Sequence, residues 1–161
     1  MRDVMQELCE ARATRPTFPD YPDFQPFASP AALLRLGIFD GKYFDDSPLD
    51  VCGLRIESDN LFAPNASQTR EQWRRKGWLM DEDPLGWFQW YVRFNGGRRL
   101  GAVDRWQIKR WKGFKARQGG MLRYQSGGDI MRGTKLRQAH LHWACWPLPD
   151  IGQPEKMCCE Q

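Results

Sequence analysis

The sequence lacks long hydrophobic runs, and this absence argues against a membrane-spanning helix. A helix that crosses a bilayer needs about 20 predominantly apolar residues, whereas this chain of 161 residues has no such stretch and a mean hydropathy of −0.69. Its amino-terminal segment, MRDVMQELCEARA, is acidic and amphipathic, so we expect no secretory signal. These features predict a soluble cytoplasmic protein with no membrane partner.

The few histidines and cysteines of the sequence are not spaced as they are in metal sites or disulfide frameworks. The two histidines, His140 and His142, point about 200° apart on a helix and so cannot share one metal ion. The five cysteines are odd in number and lack CxxC spacing, although Cys158 and Cys159 are adjacent. We therefore predict reduced cysteines in an intracellular protein, with neither a metal site nor a cofactor.

Aromatic residues are abundant, with eight tryptophans and an aromatic content of 13%. Helix caps, and apolar side chains spaced at helical intervals, predict a mainly α protein: a compact bundle of about five short helices with irregular loops. Predicted starts are Ser29, Ser67, Asp83 and Thr134. The predicted helices of the bundle span 30–36, 67–76, 84–94, 101–118 and 134–146, and a further helix is predicted for 1–14. The tryptophans of the last three are predicted to pack together: Trp87, Trp90, Trp106, Trp111 and Trp143.

Proline and glycine punctuation divides the chain into three predicted parts. Residues 1–28 form an amino-terminal helix and a Pro- and aromatic-rich extension outside the core, 29–146 a single Trp-rich helical domain, and 147–161 a mobile tail. The aromatic residues of the extension either lie on the domain surface as a strap or form a Pro-rich recognition ligand. They are Phe18, Tyr21, Phe24 and Phe27.

Charge is strongly segregated along the chain. Residues 67–137 contain 17 Lys or Arg against six Asp or Glu, a balance of +11, and the rest of the chain is acidic. Such a segment indicates an anionic partner. Alternatively, the acidic part packs against the basic part and neutralises it.

Nucleic acid is the first partner that this pattern predicts, because clustered cations bind phosphates and aromatic rings stack on bases. The candidate binding residues are Arg93, Arg98, Arg99, Arg105, Lys109, Arg110 and Lys112. The alternative is a small enzyme or ligand-binding protein for an anionic small molecule, with Arg93, Arg98, Arg99 and His142 in an aromatic-lined pocket. A third interpretation is a scaffold whose basic face docks an acidic protein.

Two local features are candidates for chemistry. The turn Gly96-Gly97-Arg98-Arg99 either holds a phosphate or carboxylate or ends a helix with two solvated arginines. His142 is a candidate general acid or base, with Asp104 or Asp83 to orient it. Cys145 near His142 is a weaker candidate, because nothing in the sequence activates its thiol.

Four segments resemble a family of small proteins without an established activity. DPLGWFQWYVRFNGGRR (83–99) is similar to DPxGWFQWYCRFYxGRR, DRWQIKRW (104–111) to DxRQIxRW, and RQAHLHWA (137–144) to RQxLLHWxY. SPAALLRLGIFDGKYF (29–44) resembles the family's leading segment. The sequence departs from the pattern at Val92, where the family has Cys, at Asn95-Gly96, and at Trp106, where the family has Arg. The resemblance implies that 29–146 is one unit and transfers no catalytic residue.

Overall fold

The computed structural model describes residues 2–159, which form seven α-helices and two short 3₁₀ helices and contain no β-strand. The α-helices are α1 (Val4–Arg12), α2 (Pro30–Leu36), α3 (Arg70–Arg75), α4 (Trp87–Asn95), α5 (Ala102–Gln125), α6 (Thr134–His142) and α7 (Pro154–Met157). The 3₁₀ helices are Phe39–Gly41 and Pro48–Val51. The prediction of a mainly α fold is confirmed. No helix in the described residues has the length and apolar character needed to cross a membrane.

The aromatic helix α4 is central to the core. It contacts α2 and α5, while α6 packs on α5 and α1 packs on both α2 and α7. Trp90, Tyr91 and Phe94 of α4 are completely buried, because its apolar residues recur at helical spacing. Of the five tryptophans predicted to form the core, Trp87, Trp90 and Trp111 are buried. Trp106 and Trp143 are only partly buried and line a cavity.

The amino-terminal extension belongs to the core, contrary to the sequence prediction. Phe24 is 1% exposed, and its ring centroid lies 5.0 Å from that of Trp111 and 5.5 Å from that of Trp90. Phe18 and Phe27 are buried as well. A Pro-rich segment has no helical or strand periodicity, so the sequence pattern did not indicate which of its rings would be buried.

Helix α5 continues past the glycines that were predicted to end it at residue 118. Gly119 is buried, and a Cβ at this position would approach the Pro149 ring to 3.9 Å. Leu122, one turn further, is fully buried. Each of the two glycines costs about 1 kcal/mol relative to alanine in a helix interior. Burial of Leu122 stabilises by about 1.5–3 kcal/mol, which offsets this cost, and α5 reaches Gln125.

Gly37 ends α2 as predicted and shapes the chain near the cavity. Its φ is +103°, and a Cβ there would lie 1.9 Å from the Asp59 carbonyl oxygen. Glycine is therefore required at this close approach. The turn directs the following residues so that the Phe39 ring stacks on His142, with centroids 3.9 Å apart.

The carboxyl-terminal segment, predicted to be a mobile tail, packs against the rest of the protein. Leu148 is fully buried, and the Asp150 carboxylate binds Arg137 of α6. A disulfide joins Cys9 of α1 to Cys158 after α7, with Cα atoms 5.4 Å apart. The prediction of reduced cysteines is thus wrong for this pair, because the sequence gives no sign that the two chain ends meet. Cys52, Cys145 and Cys159 are free.

Loss of this disulfide is expected to destabilise the protein. The two bonded cysteines are separated by 149 positions in the sequence. A cross-link that closes so long a loop restricts the unfolded chain. We expect Cys9→Ser to lower the free energy of unfolding by about 2–5 kcal/mol, measured by urea unfolding without reductant. Cys52→Ser, at an exposed free thiol, is the matched control. Dithiothreitol should reduce the difference in the free energy of unfolding between the wild type and Cys9→Ser. Equal stability of Cys9→Ser and Cys52→Ser without reductant would contradict the prediction.

Candidate functional site

A cavity of about 730 Å³ lies between α3, α4, α5 and α6, and we call it the aromatic cavity. Its volume is in the range typical of small-molecule sites. Nine aromatic side chains line it: Phe39, Tyr43, Trp73, Trp78, Trp87, Phe88, Trp106, Phe114 and Trp143. Four cations also line it: Lys109, Arg110, Arg117 and Lys135. None of the residues that line the aromatic cavity is acidic.

Arg110 of α5 is the cation most enclosed by aromatic rings. Its guanidinium carbon lies 4.6 Å from the Trp106 ring centroid, 5.3 Å from that of Trp143 and 5.7 Å from that of Trp78. Nη1 donates hydrogen bonds to Gln107 Oε1 and to the Trp78 carbonyl. Burial lowers the pKa of Arg110 to about 10, and the side chain remains protonated at neutral pH.

Arg110 has no carboxylate partner among residues 2–159, and this is part of a wider pattern. Nine of the 17 basic residues between 67 and 137 form ion pairs, five of them with acids outside that segment. Within the described chain, the rest form no salt bridge: Lys76, Arg105, Lys109, Arg110, Lys115, Arg117, Arg123 and Lys135. Six of these eight belong to α5. The acidic part of the chain therefore neutralises the basic part only partly.

His142 lines the aromatic cavity, but both of its ring nitrogens are engaged. Nε2 accepts hydrogen bonds from the Phe39 backbone N–H at 3.3 Å and from the Gln138 amide at 3.1 Å. Gln138 Oε1 accepts from the Phe62 N–H, which fixes the amide orientation. Nδ1 therefore carries the proton and donates it to Ser67 Oγ at 2.9 Å. This leaves the Ser67 hydroxyl hydrogen free to donate.

The geometry does not support His142 as a general acid or base. Burial lowers its pKa to about 3, so it is neutral at physiological pH, and Nε2, its only lone pair, is occupied. Asp104 does not orient it. Its carboxylate accepts from Trp90 Nε1 at 2.8 Å and from the Leu100 N–H at 2.6 Å, and it caps α5 by accepting from the Gly101 N–H at 3.2 Å. Asp83 binds arginines instead. Cys145 is buried, which raises its thiol pKa to about 12.

Three predicted anion-binding arginines are held in ion pairs away from the aromatic cavity. Arg93 and Arg98 both bind the fully buried Asp83 carboxylate, and Arg93 also binds Asp50. Arg99 binds Asp20, 2.7 Å away, and its guanidinium lies over the Phe94 ring. The turn after α4 therefore ends a helix with paired arginines. Asp83 cannot cap α4 as predicted, because its carboxylate is committed to these side chains, and the helix begins at Trp87.

The remaining predicted binding residues all belong to α5, but their surroundings differ. Lys109 lines the aromatic cavity together with Arg110. Arg105 is exposed and has no salt bridge to another described residue. Lys112 is exposed and pairs with Asp23 of the amino-terminal extension.

Several cavity residues were not identified from the sequence as members of a site. Trp73 and Trp78 lie in and just after α3, where the predicted cap was Ser67. In the structure Thr69 caps α3 through a capping box with Gln72. The capping-box spacing of Thr69 and Gln72 is visible in the sequence and favours Thr69 over Ser67 as the cap of α3. This spacing was a usable signal that the Ser67 hydroxyl is available for another contact. Lys135 gave no such signal, because it is one basic residue among many.

Comparison with family models, with curated proteins and with solved structures finds no match for this chain. The resemblance to the family of small proteins named above is therefore still a prediction, and the functional argument rests on the geometry of the site.

Proposed function

We propose that the aromatic cavity binds an anionic small molecule that carries a planar ring, of the size and chemistry of a nucleotide. The observation that carries this proposal is Arg110, a partly buried guanidinium that is surrounded by indoles and has no carboxylate partner in the described chain. Its Nε and Nη2 donate to no described residue. A bound phosphate or carboxylate can accept these donors as a charge-assisted pair.

The walls of the cavity suit the ring of such a ligand. Trp78, Trp106 and Trp143 surround Arg110, and stacking of a base on an aromatic side chain contributes about 1–3 kcal/mol. Lys109 and Lys135 line the same space and add positive charge. Ser67 offers a hydroxyl donor oriented by His142. Because His142 is neutral and fully engaged, its part in this proposal is to position Ser67.

The test is binding of adenosine 5′-monophosphate, measured by tryptophan fluorescence quenching and calorimetry. We expect Arg110→Gln to weaken binding by about tenfold or more, since a hydrogen bond to a charged group is worth about 1.5–3 kcal/mol. Arg105→Gln removes an exposed cation of the same helix that does not line the cavity, so it is the matched control. Adenosine and ribose 5-phosphate should each bind more weakly than the nucleotide.

Two outcomes would contradict the proposal. One is no binding of the nucleotide to the wild type, and the other is an equal effect of Arg110→Gln and Arg105→Gln. The first outcome would exclude nucleotides as ligands of the aromatic cavity. The second would mean that binding is only a non-specific attraction to the positive charge of α5. A cytoplasmic location is a further part of the proposal, and it requires that Cys9 and Cys158 are thiols in the cell, because cytosolic thiols are kept reduced. Alkylation of thiols in intact cells before lysis tests this, and a Cys9–Cys158 disulfide found there would contradict the cytoplasmic location.

Single-stranded nucleic acid is the second candidate, favoured by the unpaired cations along α5. Arg105, Lys115 and Arg123 are exposed on this helix and add positive charge outside the aromatic cavity, with Lys115 and Arg123 on the other side of α5. A strand bound there should show a log–log salt slope of about −0.7 per phosphate contact, whereas a mononucleotide contacts few phosphates. A 12-nucleotide strand that binds no more tightly than adenosine 5′-monophosphate would favour the small-molecule site.

A further inference from the structure

A second cavity, of about 400 Å³, lies on the opposite face of α5. The α5 residues that line it are Trp111, Lys115, Gly119 and Arg123, spaced four apart, and this spacing keeps them on one side of a helix. None of the residues that line it also lines the aromatic cavity. Helix α5 thus separates two cavities and supplies cations to both.

Positive charge surrounds the second cavity. Arg12, Arg15, Lys115 and Arg123 line it, and Glu155 is the one acid that does so. Glu155 lies 3.5 Å from Arg12 and is largely exposed. The other three cations form no salt bridge to any residue between 2 and 159. Their charge is therefore available to an anion.

Two of the side chains that line the second cavity each have one buried polar atom without a geometric hydrogen bond. His140 Nδ1 lies 2.7 Å from the Leu136 carbonyl and must donate to it, so Nε2 is a bare acceptor. Burial also lowers the pKa of His140 to about 4, which keeps the ring neutral. Trp111 Nε1 has no nitrogen or oxygen acceptor, and its neighbour is the Cys145 thiol, a weak acceptor. His140 is 1% exposed and Trp111 is 2% exposed, and unpaired buried groups of this kind are rare in folded proteins.

The two unpaired atoms define what a ligand must carry. A hydroxyl group both donates and accepts, so a ligand hydroxyl suits either an unpaired acceptor such as His140 Nε2 or an unpaired donor such as Trp111 Nε1. The cations require negative charge in the same molecule. We propose that the second cavity is a binding site for a small polyanion that bears a hydroxyl group, such as a hydroxy polycarboxylate or a sugar phosphate.

The disulfide stabilises the walls of this site. Arg12 belongs to α1, and Pro154 and Glu155 belong to α7. The Cys9–Cys158 bond joins these two elements. Both walls are therefore held together in the oxidised protein, which is the form to use in binding experiments.

The experiment compares citrate with propane-1,2,3-tricarboxylate, which has the same three carboxylates and no hydroxyl. By calorimetry on the wild type, citrate should bind about tenfold more tightly, the value of roughly one hydrogen bond to a buried group. The double variant Lys115→Ala/Arg123→Ala should weaken citrate binding by about tenfold or more. A parallel titration with fructose 1,6-bisphosphate distinguishes phosphates from carboxylates as the natural source of charge.

Matched controls separate this site from the aromatic cavity and from the general charge of α5. Arg105→Ala/Lys112→Ala removes two exposed cations of α5 that line neither cavity and should leave citrate binding within about twofold of the wild type. Arg110→Gln should leave it unchanged, so failure here and failure of the proposed function are distinguishable. Equal binding of citrate and propane-1,2,3-tricarboxylate would overturn the hydroxyl requirement. Absence of binding by both citrate and fructose 1,6-bisphosphate, or equal losses in the two double variants, would overturn the site.

Discussion

Replacing Asp150 by alanine is expected to lower the free energy of unfolding by about 3–5 kcal/mol, the usual cost of removing one partner from a buried ion pair. The side chain of Arg137 is fully buried and that of Asp150 is 3% exposed, with Nη1 and Oδ1 2.7 Å apart. Arg137 uses all five of its N–H donors, two on this carboxylate and three on the carbonyls of Asp129, Arg132 and Pro147. The substitution leaves a buried guanidinium without its counter-charge.

The pH dependence of this effect has a definite sign. Burial alone would raise the pKa of Asp150, but hydrogen bonds from Arg137 and Ser126 outweigh it and hold the pKa below its ordinary value of 3.8. A carboxyl with a lowered pKa in the folded state contributes stability above its unfolded value, and this stability is lost as the pH falls through the folded pKa. The difference between the wild type and Asp150→Ala should therefore be full at neutral pH and shrink below about pH 4.

Urea unfolding at pH 7 and at acid pH measures both quantities. Asp46→Ala is the matched control, because Asp46 forms an exposed pair with Arg70 and exposed pairs contribute about 0–1 kcal/mol. If the two variants lost the same stability, residues 147–159 would not be the packed segment described above.

The sequence predicts those elements whose signals are local. Helix α2 was predicted at its observed bounds, since Ser29 accepts a hydrogen bond from the Ala32 N–H and Pro30 and Gly37 stand at the two ends. Asp83-Pro84 carries the same kind of signal, but the helix start predicted from it was wrong by three residues, since α4 begins at Trp87. The partners of Asp83 are Arg93 and Arg98, which follow it by 10 and 15 positions, and a capping rule does not consider competitors at that distance.

The same difference between local signals and distant contacts explains which residues of the candidate site were predicted correctly. Arg110, Lys109 and His142 were singled out by residue type, and the structure places all three around one cavity. Arg93, Arg98 and Arg99 were chosen for the same reason, and their carboxylate partners engage them elsewhere. Charge balance along a segment counts cations but does not indicate which of them find an acid. That depends on tertiary contacts such as Arg99 with Asp20, which are 79 residues apart.

The core of α4 carries the second large expected effect, that of Trp90→Ala. Trp90 is completely buried and packs against Phe24, Trp87 and Phe94, with centroid distances of 5.5, 5.6 and 4.8 Å. Truncation of a buried tryptophan to alanine costs about 3–5 kcal/mol, because transfer energy is lost and a cavity remains. It also removes the donor to Asp104 Oδ1, leaving a buried carboxylate oxygen with one partner fewer.

Two further variants separate these contributions in thermal and urea unfolding. Trp90→Phe keeps most of the ring packing and loses the hydrogen bond to Asp104, so we expect it to cost less than Trp90→Ala. Trp78→Ala removes an indole that is 36% exposed and should cost least, while weakening ligand binding in the aromatic cavity. This order follows from burial, and burial of Phe24 against Trp90 likewise joins the amino-terminal extension to the helical core. An unchanged unfolding midpoint for Trp90→Ala would contradict the placement of α4 at the centre of the fold.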